Sequence, residues 1–124
     1  MLCFFPCFFV NNTVPPTIIS PAEDEDVTVV EGNDAVFTCT ARGSPEPDIV
    51  WHRGAMQLTG NELRVTIVPM VSMDSDGFSV VESMLTISPS DRSDSGMYSC
   101  MAINTVGGSP RMTQRNFDLI VNCK

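Results

Sequence analysis

Apolar and polar residues alternate with a period of two over much of this chain. In Ala35–Ala41, residues Ala35, Phe37, Cys39 and Ala41 share one face, and Val36, Thr38 and Thr40 share the other. Successive side chains of a strand point to opposite faces of its sheet, so this run predicts a half-buried strand. Asp48–Arg53 places Ile49 and Trp51 in phase, and Glu62–Val68 does the same with Leu63, Val65 and Ile67. Val80–Ile87 aligns Leu85 with Ile87. Gly96–Asn104 puts Tyr98, Cys100 and Ala102 on one face and Met101 and Ile103 on the other. Arg111–Val121 closes the chain with Phe117, Leu119 and Val121 in phase, and Asp26–Val30 adds a short β-rich run.

Turn residues separate these runs. Glu31–Asp34, Gly43–Pro47, Asp76-Gly77 and Gly107-Gly108 are turn signals. Gly54 and Gly60 bracket one weak, short strand, Pro69–Ser79 is expected to be a loop, and Ser88–Ser95 is polar and contains a proline. Pro15-Pro16 and Pro21 mark a stiff, extended start, since proline fixes φ. No segment holds a helical period. The expected fold is therefore all-β, an antiparallel β-sandwich of seven to nine short strands, about one domain.

Composition narrows the function. The net charge is −8 and the pI about 4.3. Such a surface repels phosphate backbones and anionic lipid, so a nucleic-acid partner is not expected. The acidic run Ala22–Asp26 leads straight into an apolar strand and is read as a solvated strand edge, not a calcium loop. No apolar stretch is long enough for a transmembrane helix, which leaves a membrane anchor elsewhere in a parent protein open. The first ten residues, MLCFFPCFFV, resemble part of a secretory leader. They lack a basic n-region and a cleavage site, and Pro6 interrupts them. A fragment end or mis-assigned start is the other reading, and residues 1–13 are set aside from the fold.

Chemistry is sparse. The chain has one histidine, His52, and five cysteines. That is too few histidines for an ordinary Cys/His zinc site, and no nucleophile elbow, paired carboxylates or phosphate loop is present, so neither an enzyme nor a cofactor is expected. Cys39 and Cys100 each lie mid-strand and are better read as partners of each other than as metal ligands, which points to an oxidising compartment. Cys3, Cys7 and Cys123 are left unassigned. Asn11-Asn12-Thr13 is a glycosylation sequon at Asn11, with chance as the alternative.

The stretch DSGMYSC, residues 94–100, joins these readings. Tyr98, Cys100 and Ala102 look into the core from one strand, and Cys39, Trp51 and Leu85 do so from others. Tyr98 can bury its ring while its hydroxyl returns to the backbone near Asp94. Gly96 is expected to permit a bend that a Cβ would crowd. Asp94 can cap that turn or pair with an arginine, Arg64 being the candidate.

Together these residues resemble an immunoglobulin superfamily domain of the I-set type. The resemblance rests on PPTI at 15–18, VVEGNDAVFTCTARGSPEPDIVWHR at 29–53 and LTISPSDRSDSGMYSCMAINTVGG at 85–108. In that pattern Cys39 and Cys100 resemble the bridging pair, Trp51 the core tryptophan, and Leu85 with Ile87 the strand-E pair. Asn104 with Gly107 resembles the turn into the last strand. The resemblance implies a Greek-key sandwich over residues 14–122, with 123–124 a tail or the start of a linker. It is similar to domains of cell-adhesion molecules, receptors and hemicentin-like matrix proteins. The implied function is an extracellular or cell-surface protein-binding module acting in adhesion or cell–cell recognition within a larger protein. Its contacts would be homophilic or heterophilic. A module of a titin-like muscle filament and a receptor-kinase ectodomain are the alternatives. Val50, Met101 and Ile103 are the candidate partner face. The Gly43–Pro47 and Asp76-Gly77 tips are the other candidate contact.

Overall fold

The structure, a computed structural model, describes residues 13–124. Cys3, Cys7 and the Asn11 sequon lie outside the described residues. Nine strands follow in order: β1 Val14–Ser20, β2 Glu25–Val30, β3 Ala35–Ser44, β4 Asp48–Arg53 and β5 Met56–Leu58, then β6 Val65–Met73, β7 Ser79–Ile87, β8 Gly96–Val106 and β9 Ser109–Asn122. They form a sandwich of two sheets, β1-β3-β7-β6 against β2-β9-β8-β4-β5. Every pairing is antiparallel except β2 with β9, which is parallel. That exception arises because the chain leaves β3 after β1 and crosses to the opposite sheet through Pro21–Asp24.

The in-phase residues of the central strands fill the space between the sheets. Phe37, Cys39, Trp51, Leu85, Tyr98, Cys100 and Phe117 are all buried. The rings of Phe37 and Phe117 have centroids 5.1 Å apart, Phe37 and Tyr98 5.2 Å, and Trp51 and Phe117 5.6 Å. A disulfide joins Cys39 of β3 to Cys100 of β8 across the sandwich. The indole N–H of Trp51 donates to the Ser83 hydroxyl at 2.9 Å, so its one polar group is satisfied in the interior.

Three expectations need correction. Residues 69–73 are not loop but the second half of β6. The backbone explains why Pro69 is tolerated there. Ser88 N donates to Arg64 O, and Asp74 N to Phe78 O, both at 2.9 Å, at the two ends of the β6–β7 register. Bonded and non-bonded pairs alternate in an antiparallel ladder, so even-numbered residues of β6 bond β7 and odd-numbered ones face away. Pro69 is odd, on an edge strand, and costs the β7 ladder no donor. The loop shrinks to Asp74–Phe78, where Gly77 sits at φ 86° and donates to Asp74 O. The guanidinium of Arg42 ties this tip to β3, pairing with Asp74 and lying 4.4 Å over the Phe78 ring.

The second correction concerns Leu63. It precedes β6 instead of joining its inward row, and is 85% exposed. Glu62 holds the segment in a turn by accepting from Thr59 N and Gly60 N, and Val65 N donates to Glu62 O. The third concerns Gly96. A Cβ there would meet nothing closer than Arg53 Nε at 4.0 Å, so crowding is not the reason for glycine. The reason is the backbone itself, at φ 150°.

Candidate partner-binding surface

Two kinds of sequence-predicted residue must be separated, those that build the frame and those that face outward. The frame residues gather at the start of β8. The Tyr98 hydroxyl donates to Asp94 O at 2.7 Å. Burial pushes the Tyr98 phenol above its ordinary range. Asp94 lies in a single 3₁₀ turn, Arg92–Asp94, capped by Asp91, whose carboxylate accepts from Ser93 N. Asp94 in turn accepts from Asp91 N at 2.8 Å. Arg64, from the turn just before β6, reaches Asp94 with two bonds, Nη1–Oδ2 at 2.7 Å and Nη2–Oδ1 at 3.1 Å, and donates to Pro89 O as well. A two-pronged pair with one buried partner has stronger geometry than a single surface contact.

The outward residues lie on the five-stranded sheet. Val50 of β4 stands directly opposite Met101 of β8. Ile103 stands opposite Asp48 on one side and Met112 of β9 on the other. Side chains this close across strands touch, which is why Val50, Met101 and Ile103 are half-buried while Met112, at 58% exposed, forms the rim. His52 completes the β4 row beside Ser99 and Gln57. The face is thus a small apolar strip of Val50, Met101, Ile103 and Met112, with Asp48 and His52 beside it.

Sequence reasoning missed several residues that hold the ends of the sandwich. Asn104, assigned only to a turn, is buried, and its Nδ2 donates to Val14 O at 2.8 Å and Pro45 O at 3.1 Å. It thereby ties the first strand and the Gly43–Pro47 tip to β8. Arg53 places its guanidinium 5.5 Å over the Tyr98 ring and donates to the carbonyls of Ser93 and Ser95. Arg115 of β9 donates to Pro21 O at 3.0 Å, bracing the crossover between sheets. These contacts join residues 40 to 94 positions apart, and no local pattern announces them.

Among the described residues, no group of three His, Cys, Asp or Glu side chains is placed to hold a metal ion. No helix among them is long and apolar enough to cross a membrane. Cys123 is a free, exposed thiol whose Sγ lies 3.0 Å from Arg92 Nη1.

This geometry agrees with what the chain is similar to. It is 36% identical over 96 residues to the human "Peroxidasin homolog", covering 77% of this chain and 6% of that protein. The chain therefore spans a small part of the relatives it matches. Among solved structures, the Ig1-2 module of the Drosophila receptor protein tyrosine phosphatase DLAR superposes with a TM-score of 0.67 at 29% identity, covering 89% of this chain and 50% of that one. Titin domain M7 superposes with a TM-score of 0.67 at 24% identity, covering 89% and 96%. The family description "Immunoglobulin domain" matches residues 15–104, and together with the bridged sandwich it shows that the chain belongs to the immunoglobulin superfamily.

Proposed function

We propose that this domain is an extracellular protein-binding module, acting in cell adhesion or cell–cell recognition as part of a larger protein. The observation that carries the reading is the Cys39–Cys100 bridge in the centre of the core. A reducing compartment would leave two thiols there, with no advantage over small apolar residues. Likeness to a receptor's immunoglobulin module supports the same location. The fold alone serves an intracellular filament equally well, and the likeness to titin M7 is the specific observation behind that second reading.

Val50, Met101 and Ile103 form the contact surface in this proposal. Binding here removes apolar area from water without changing the strands beneath. The double variant Met101→Asp with Ile103→Asp tests it, because both side chains point away from the core. Beads coated with the wild-type domain, within its natural neighbours, should aggregate or bind partner-bearing cells. Beads carrying the variant should not, while its melting temperature stays within a few degrees. Unaltered aggregation would remove the surface from consideration.

A further inference from the structure

β6 is the outer strand of its sheet, and it is unusually bare. From Val65 to Met73 it carries no charged residue. Natural edge strands are normally protected by charge, by proline or by a covering loop. Here Pro69 is the only such device within the strand. Its odd-numbered residues direct their free backbone groups away from β7, so Ile67 and Val71 each offer an N–H and a C=O, and Pro69 a C=O.

A second open edge lies across from it. β5 pairs only with Trp51–Arg53, so the Asp48–Val50 end of β4 has no strand on that side. Between the two edges runs an open groove of about 510 Å³. Ile49, Ile67, Pro69, Val71 and Val81 line it. The charged groups along it are Glu46 and Asp48, both acidic.

We propose that this flank binds an extended apolar peptide of a partner protein, flanked by lysine or arginine, added as a new strand on β6. Main-chain hydrogen bonds to Ile67, Pro69 and Val71 would supply affinity, and alternate side chains would enter the groove. Glu46 and Asp48 select the basic ends. A second copy of this chain fits less well. It carries a net charge of −8, and its own β6 has no basic residue to meet these acids. Symmetric pairing of two β6 strands about Pro69 would also leave each Pro69 carbonyl facing a proline nitrogen that has no hydrogen to donate. Val50 borders both this groove and the outer face, but Met101 and Ile103 do not line the groove, so substitutions at those two separate the two readings.

The test uses two fluorescent peptides, Lys-Val-Thr-Val-Thr-Val-Lys and Glu-Val-Thr-Val-Thr-Val-Glu, titrated against the domain. The basic peptide should bind about tenfold more tightly, and Glu46→Lys with Asp48→Lys should invert that preference. Val71→Pro removes an outward donor only, leaves the β7 ladder whole, and should weaken the basic peptide by about tenfold. Amide shifts should centre on Ile67 and Val71, and Met101→Ser with Ile103→Ser, which adds no charge beside Asp48, should leave binding unchanged. Equal binding of the two peptides would overturn the proposal. So would no binding at about 1 mM, amide shifts on the Met101–Met112 face, or a concentration-dependent dimer that protects β6.

Discussion

β3 and β6 lie in the same sheet on either side of β7, yet they behave as opposites. β3 alternates buried with half-buried residues beyond an exposed Val36, and Ala35, Phe37, Cys39 and Ala41 are almost fully enclosed. β6 is exposed at most positions, although Val65, Ile67, Pro69 and Val71 face the same way as the buried row of β7. The difference is the opposite sheet. β3 lies over β8 and β4, which close on it with Cys100 and Trp51. β6 overhangs the end of β4, where β5 gives no cover, so its inward row meets a groove. Direction within a strand is set locally, but burial is set by what stands opposite.

The sharpest way to break this contrast is at the bridge. Cys39→Ser with Cys100→Ser should lower stability by about 4 kcal/mol on the chain-entropy estimate for so long a loop. Differential scanning calorimetry reads this as a large fall in melting temperature, and an unchanged transition would show that the core holds without the bridge. Paired truncations come next. Phe37→Ala, in β3, should lower stability by about 4 kcal/mol, because it leaves a cavity in a closed core. Val71→Thr, in the inward row of β6, should change it by less than about 0.5 kcal/mol. Similar values from denaturant titration would mean that β6 is as enclosed as β3.

Tyr98→Phe sharpens the comparison within β8. It removes one buried hydrogen bond to Asp94 O and should lower stability by about 1 kcal/mol. The smallest expected effect lies at the β6–β7 tip. The Arg42 guanidinium beside Asp74 holds that carboxyl below its ordinary range, helped by the backbone N–H groups of Phe78 and Asp76. A carboxylate lowered on folding stabilises fully above its ordinary range, and that contribution is lost as pH falls through the lowered value. Asp74→Asn should therefore lose stability relative to wild type at neutral pH, and the gap should close in acid. A gap that persists at low pH would assign the tip to packing of Arg42 on Phe78 instead.

How much of this was legible follows from the same contrast. The core rows of β3, β8 and β9 stand in the sequence as strict alternation, and the spacing of Gly96, Tyr98 and Cys100 places the strand that carries them, though not the 3₁₀ form of the turn before it. Arg64, the arginine offered as a partner of Asp94, does pair with it. The second half of β6 was not legible. Pro69 looks like a break unless one knows that it occupies an edge strand with its missing donor turned outward. Leu63 shows the converse, since it keeps the alternating phase yet sits in a turn held by Glu62. Asn104, Arg53 and Arg115 join segments far apart in the chain, and the groove depends on how far β5 extends along β4. Neither leaves a local trace.

The measurement that most directly tests the extracellular reading is cysteine labelling before reduction, by mass spectrometry, on protein taken from its own tissue. Cys39 and Cys100 should be unlabelled and recovered as one linked pair, in a secreted or membrane-attached chain. Both thiols labelled, in a large intracellular chain, would contradict the recognition module and leave a filament domain in its place.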